Sequence, residues 1–143
     1  MFTRVRAVAL GISVVAALSG VLAGGPARAQ TADPQQIKLC DGRGNVPDDV
    51  QISACTQVIK SVRSDATVLN TAHFYRGLTY AQTGRCRLAI PDFTAAIKYD
   101  PKDSDAYWSR HLCKQELGDT AGAAADRKAA KAIDPRIEEQ WMQ

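Results

Sequence analysis

The chain has 143 residues, which is enough for one domain. It carries 18 basic and 15 acidic residues, but Arg4, Arg6 and Arg28 fall in the first thirty positions. From residue 30 onward the chain has 15 residues of each sign. Because nucleic-acid and anionic-membrane binding need a basic folded surface, this neutral balance gives them no support. We expect no nucleic-acid partner.

Residues 1–29 have the pattern of a secretory signal peptide. Two arginines precede an uncharged apolar stretch over residues 7–23, and residues 27–29 form an A-x-A cleavage site. The alternative is a membrane anchor of about 17 residues, which is at the lower limit for a span. We expect cleavage after Ala29, a mature chain that starts at Gln30 in the periplasm or outside the cell, and no membrane insertion after cleavage.

The chain contains four cysteines, which are Cys40, Cys55, Cys86 and Cys113. An even number in an exported chain favours disulfides, and no C-x-x-C motif is present. A cysteine nucleophile beside His73 or His111 is the alternative, but the even count argues against a free thiol. We therefore expect structural disulfides and no catalytic residue, metal or cofactor.

A sequence repeat organises the second half of the chain. Five residues recur at an offset of 34: Gly84 and Gly118, Ala89 and Ala123, Ala96 and Ala130, Asp100 and Asp134, and Pro101 and Pro135. Apolar periodicity predicts two helices in each unit, over 68–82 and 88–99 and then over 104–117 and 121–133. Pro91 falls inside the second of these, and we expect a kinked but continuous helix there.

The run FYRGLTYAQTGRCRLAIPDFTAAIKYDP, residues 74–101, resembles the tetratricopeptide repeat (TPR). The resemblance rests on six positions, which are Gly77, Tyr80, Ala89, Phe93, Ala96 and Pro101. The second unit departs from the pattern at His111, Lys114 and Arg127. The resemblance implies an all-α fold, a short right-handed solenoid of helical hairpins.

The residues before position 70 match the repeat more loosely. Extending the repeat frame backward aligns Cys55 with Ala89, and a helix over 48–63 would then be the second helix of a degenerate first repeat. Gly42, Gly44 and Pro47 argue against a regular first helix. The predicted organisation is a signal peptide (1–29), a loop segment (30–47), a half-repeat helix and turn (48–69), two repeats (70–103 and 104–137) and a C-terminal cap (138–143).

Four cysteines allow three pairings. Neighbours in sequence would give Cys40–Cys55, closed by a glycine-containing loop, and Cys86–Cys113, on adjacent helices of the two units. For the second pair, counting residues through the turn leaves an axial mismatch of about 8 Å. That is slightly too far for a disulfide unless the helix start loosens or Pro91 bends the helix.

The resemblance also implies a concave groove lined by the first helix of each unit. Carried over position by position, its lining is Thr71, Phe74, Leu78, Gln82, Asp105, Trp108, Leu112 and Gln115. Phe74 and Trp108 would lie side by side, as would Leu78 and Leu112, to form an apolar strip typical of an interaction site. The alternative is that the N-terminal segment or the helix with Trp141 covers this strip.

We therefore expect a protein–protein interaction module that binds an unidentified protein or peptide partner. The alternative functions are structural self-association, in which repeat ends stack weakly without a peptide ligand, and an enzyme that uses a cysteine. The basic run Arg127, Lys128 and Lys131 is interpreted as a solvated helix face, with an anion site as the alternative.

Overall fold

The computed structural model describes residues 32–143; the predicted signal peptide and its cleavage site lie outside the described residues. The helices are α1 (Pro34–Cys40), α2 (Asp48–Ser61), α3 (Ala66–Gln82), α4 (Cys86–Tyr99), α5 (Ser104–Glu116), α6 (Thr120–Ile133) and α7 (Ile137–Trp141). No strand occurs among these residues. The predicted all-α class is confirmed.

Consecutive helices pack as hairpins that stack in chain order. The pairs α1 and α2, α3 and α4, and α5 and α6 form the hairpins, α2 packs on α3, and α4 packs on α5. Helix α7 closes the end of the stack against α5 and α6. The arrangement is a TPR-like helical solenoid, as the repeat predicts.

Aspartate caps begin both helices of the second unit, and a glycine follows the first helix of each unit. Asp103 and Asp119 cap α5 and α6, each accepting a hydrogen bond from a backbone N–H of the first turn. Gly84 and Gly118 follow α3 and α5 with φ of 70° and 81°. Glycine adopts this left-handed conformation without the steric penalty of other residues, so each first helix stops there.

Helix α4 runs without interruption from Cys86 to Tyr99 and contains Pro91. The predicted continuity is confirmed. Ala89 and Phe93 on either side of the proline are both fully buried, so the packing face of the repeat is kept.

The N-terminal segment corrects one prediction. The sequence predicts a loop without a helix over residues 30–47, but α1 occupies Pro34–Cys40 and packs against α2. Asp33 caps it and Pro34 stands in its first turn, where the missing N–H costs nothing. Gly42 and Gly44 (φ 69° and 98°) form the turn that follows. They end α1 instead of preventing it.

The first hairpin also departs from the 34-residue spacing of the later repeats. Helices α2 and α4 have 14 residues each, and they begin at Asp48 and Cys86, an offset of 38 instead of 34. Helix α3 has 17 residues where α5 has 13, so it carries about one extra turn at its start. Cys55 therefore corresponds to Phe93, both 0% exposed, and not to Ala89 as the frame of the later repeats predicts.

A buried ion pair ties together three successive helices. Arg76 of α3 donates from Nε and Nη2 to the two carboxylate oxygens of Asp92 on α4, at 2.8 and 2.7 Å. Its Nη1 donates to the hydroxyl of Thr56 on α2, at 2.9 Å. His73 lies 2.9 Å from the same carboxylate through Nδ1. Burial by itself would raise the pKa of Asp92, but the hydrogen bonds from His73 and Arg76 outweigh it and hold that pKa below its usual value.

The same arrangement recurs one unit later. Arg110 donates to Asp126 at 2.8 and 2.7 Å and to the hydroxyl of Thr94 at 2.9 Å. Lys114 adds a contact of 2.9 Å to Asp126. Burial again opposes the charged form, yet the bonds from Arg110 and Lys114 lower the pKa of Asp126. These two clamps fix how successive hairpins sit against one another.

Both predicted cysteine pairs lie at disulfide distance. Cys40 and Cys55 join α1 to α2 with their Cα atoms 4.6 Å apart, and Cys86 and Cys113 join α4 to α5 at 5.0 Å. The mismatch expected for the second pair is absent. Counting the regular helical rise fails across the connector, because the backbone of Asp100 is extended there and not helical.

Candidate functional site

The predicted apolar strip splits into a closed half and an open half. Trp108 is buried, 4% exposed, in a small core with Ala130 of α6 and Ile137 of α7. Phe74 is half-buried against Phe93, with ring centroids 6.1 Å apart. Trp108 therefore belongs to the interior of the stack, whereas Phe74 keeps part of its surface exposed.

Helix α7 covers the part of the groove that contains Trp108. Ile137 at its start is 1% exposed, and Trp141 at its end donates from Nε1 to Oδ1 of Asp105 at 2.9 Å. The sequence predicts Asp105 in the groove lining, but this residue anchors the capping helix. The covering by the Trp141 helix, considered as an alternative from the sequence, is found at this end.

A cleft of about 260 Å³ remains open between α3 and α5. Its walls carry Leu78, Ala81, Gln82, Cys86, Ser109, Leu112, Cys113, Glu116 and Trp141. Three of the predicted groove residues are in this set: Leu78, Gln82 and Leu112. Leu112 is 42% exposed, so this part of the apolar strip faces solvent.

The remaining predicted residues lie elsewhere. Thr71 borders a smaller apolar recess of about 100 Å³ beside Ile37 of α1 and Val58 of α2. Gln115 lies in a separate cleft between α5 and α6. The structure therefore does not bring the eight predicted residues into one continuous groove.

Ser109 is the functional candidate that the sequence reasoning missed. It is 3% exposed, and its hydroxyl oxygen has no hydrogen-bond partner within residues 32–143. A buried hydroxyl without a partner is costly, and nearly all such groups in proteins are satisfied. Helical spacing could have found it, because Ser109 lies three residues before Leu112 and shares its face.

The disulfide between Cys86 and Cys113 forms part of the same wall, since both sulfur-bearing residues line the cleft. It links α4 to α5 at the point where the two units meet. Glu116, one turn beyond Leu112, is exposed and places a carboxylate at one end of the cleft. The arrangement offers an apolar slot with one buried hydroxyl and one acidic end.

None of the helices formed by residues 32–143 has the length and hydropathy that crossing a bilayer requires. In the same part of the chain, no three histidine, cysteine or acidic side chains gather as metal ligands would. Two disulfides are typical of proteins that work outside the cytoplasm.

Comparison with known proteins gives only a local match. No protein-family model matches the chain. A stretch of 60 residues is 35% identical to cellulose synthase operon protein C of Escherichia coli strain K12, and equally to the putative cellulose synthase operon protein C of Escherichia coli O157:H7. The match covers 42% of this chain and 5% of each relative. The TPR-like assignment therefore rests mainly on the repeat and on the fold.

Proposed function

We propose that the chain is a protein-interaction module of the bacterial envelope that binds a segment of a partner protein in the cleft between α3 and α5. One observation carries the proposal. The hydroxyl of Ser109 is buried without a partner among residues 32–143, in the wall of a cleft that is otherwise largely apolar. That oxygen is closed to solvent in the free protein, so a bound segment would supply the missing hydrogen bond once the Ser109 side chain turns toward the cleft.

The chemistry of the walls describes the segment that would fit. An apolar side chain of the partner would lie between Leu78 and Leu112. A serine hydroxyl can donate to a backbone carbonyl or accept from a backbone N–H, so Ser109 suits the main chain of an extended segment. Glu116 favours a polar or basic residue of the partner at one end.

We favour binding over catalysis by a cysteine because the cysteines are paired with one another. All four cysteines of the chain are paired at disulfide distance. A cysteine enzyme needs a free thiolate as its nucleophile, so that alternative has no residue to carry it in the oxidised protein.

An extracytoplasmic location is supported by the disulfides and by the signal-peptide pattern of residues 1–29. We place the protein in the periplasm or outside the cell, with a mature chain that begins at Gln30. The intact mass of the envelope form tests this placement. A mass that still includes residues 1–29 would contradict it.

The binding proposal is tested with two matched leucine variants. Peptides selected from a displayed library on the exported protein are titrated against Leu112→Asp, which puts a charge in the cleft. Leu88→Asp is the control, because Leu88 is 52% exposed on α4 and is not part of the cleft. We expect Leu112→Asp to weaken binding by about tenfold or more, as for loss of one buried contact. Equal affinities for both variants would overturn the proposal.

Self-association through stacked repeat ends is the alternative function. Helix α6, on the last hairpin, carries Arg127, Lys128 and Lys131, which are exposed. Helix α7 closes this end of the stack, so we expect a monomer. Light scattering over a range of concentrations separates the two functions, because end-stacking predicts growth in mass with concentration.

A further inference from the structure

A second cleft, of about 460 Å³, lies between α5 and α6 and is distinct from the proposed interaction cleft. Its polar lining comes from His111 and Gln115 on α5 and from Thr120, Arg127, Lys128 and Lys131 on α6. Three of these six side chains are cationic. From the sequence, the same basic run is interpreted as a solvated helix face.

The repeat shows how this cleft arises. In the first unit, Phe93 is fully buried, and a Cβ on Gly77 would lie 2.9 Å from its ring. Only glycine fits beside that phenylalanine. In the second unit the matching residues are Arg127, which is exposed, and His111, which is buried and lines the cleft. An apolar contact of the repeat has thus been replaced by a polar cavity.

One ring nitrogen of His111 is hydrogen-bonded, and the other has no partner among residues 32–143. The residue is 8% exposed, and its Nδ1 donates to the carbonyl of Ala123 at 2.9 Å. Its Nε2 has no hydrogen-bond partner in the described part of the chain. Trp108 packs against the ring with a centroid distance of 5.1 Å. Because Nε2 is not among the buried polar atoms that lack a partner, it is open to solvent or to a bound group.

Helix α7 already places one carboxylate beside this cleft. The side chain of Glu138 accepts from Lys131 at 2.8 Å and from Arg127. Two cationic side chains thus converge on a single carboxylate, while Lys128 has no ion-pair partner among residues 32–143. The residue next to Glu138, Glu139, is exposed and makes no such contact within that range.

We propose that this cationic cleft binds the carboxylates of an acidic segment of a partner protein. The segment would contact Arg127, Lys128 and Lys131 in the manner of Glu138 and would bring a polar group to His111. Acidic protein is favoured over other anions because the carboxylate bound there in the structure is itself a glutamate on a short acidic helix. This site is independent of the cleft that contains Ser109.

The test uses the exported protein and a synthetic peptide rich in glutamate, with a glutamine version of the same peptide as the neutral match. Calorimetric titration at low salt measures both. We expect the acidic peptide to bind about tenfold more tightly or better, and the difference to shrink as salt screens the charges. Inorganic phosphate and glucuronate are titrated beside them. Affinity equal to that of the acidic peptide for either anion would overturn the assignment to a protein segment.

Two matched variants distinguish a specific binding site from a general effect of net charge. Glu138→Gln removes the internal carboxylate that competes for Arg127 and Lys131, whereas Glu139→Gln removes the same charge next to it. We expect Glu138→Gln to tighten peptide binding several-fold and Glu139→Gln to change it by less than about twofold. Equal effects would show that only net charge matters and would contradict the proposal.

The basic residues are tested by Arg127→Gln, with Lys98→Gln on α4 as the control for loss of one positive charge. We expect the first to weaken acidic-peptide binding by about tenfold and the second to leave it nearly unchanged. Circular dichroism confirms that each variant is folded. Unchanged binding in a folded Arg127→Gln protein would overturn the site, whatever the result at the Ser109 cleft.

Discussion

Among single residues, Ser109 offers a test of both stability and the proposed binding. Its hydroxyl is buried without a partner among residues 32–143, so Ser109→Ala removes an unsatisfied polar group. We expect this change to stabilise the free protein by about 1 kcal/mol and to weaken binding of a selected peptide. Denaturant unfolding and peptide titration measure the two effects. Ser53→Ala, at an exposed position of α2, controls for the higher helix propensity of alanine.

The change in unfolding free energy of Ser109→Ala is compared with that of Ser53→Ala. If Ser109→Ala is the more destabilising of the two, the hydroxyl is satisfied in the free protein. In that case the main support for the cleft as a binding site would be lost.

The buried carboxylates Asp92 and Asp126 predict how stability depends on pH. Because their pKa values are lower in the folded state than in the unfolded state, the unfolded chain binds protons first as pH falls. Their contribution is complete above an unfolded pKa of roughly 4 and is lost as pH falls through the lower folded values. The melting temperature should therefore fall steeply below about pH 4.

Asp92→Asn tests this dependence. Near neutral pH we expect it to cost roughly 3 kcal/mol, because Arg76 is left without its buried partner. The difference from wild type should narrow as pH falls, since the wild-type carboxylate also becomes neutral. Melting curves across this range measure it, with Glu139→Gln as an exposed control. A difference that stays constant with pH would contradict the assigned role of Asp92.

Among the elements, α7 determines which part of the predicted groove is covered. Ile137 is 1% exposed and packs with Trp108, so Ile137→Ala should destabilise the protein by roughly 3 kcal/mol and let water reach Trp108. Ile133→Ala, at a residue 38% exposed, should cost much less. In a Trp141→Phe background Trp108 is the sole tryptophan, and its emission should shift to longer wavelength only in the Ile137 variant. No shift there would contradict the covering role of α7.

The elements also show which features the sequence could predict. The repeat predicted α3 to α6 well, because glycine and proline end each helix at fixed offsets. Helix α1 was missed because Gly42 and Gly44 were interpreted as forbidding a helix, although they only end one. The first frame was misplaced because an extra turn at the start of α3, beginning at Ala66, shifts it. The local signal for that start is Asp65, whose side chain accepts a hydrogen bond from the backbone N–H of Val68.

The site was predicted less completely than the fold, for a physical reason. A repeat position predicts the helix face on which a residue lies, but it does not predict which other element packs over that face. Trp108 has a groove position and is nevertheless buried, because α7 folds back onto it. His111 and Arg127 depart from the repeat pattern, and only their spacing in three dimensions shows that they form a cleft.

In the whole molecule, the two disulfides should have separable effects. Cys40–Cys55 joins α1 to α2, and Cys86–Cys113 joins the two repeat units in the wall of the cleft. Replacing either pair with alanines should cost about 3 kcal/mol. Only loss of Cys86–Cys113 should also weaken binding of a selected peptide. Unfolding and titration of both double variants measure this, and equal effects on binding would contradict a specific role for the second bond.

Amide chemical-shift mapping shows directly whether a partner segment binds between α3 and α5. The isotope-labelled exported protein is titrated with a selected peptide, and the shifts are followed residue by residue. Binding between α3 and α5 predicts the largest changes at Leu78, Ser109 and Leu112, with α2 unaffected. Changes that cluster on α2, or that spread evenly over the chain, would contradict it.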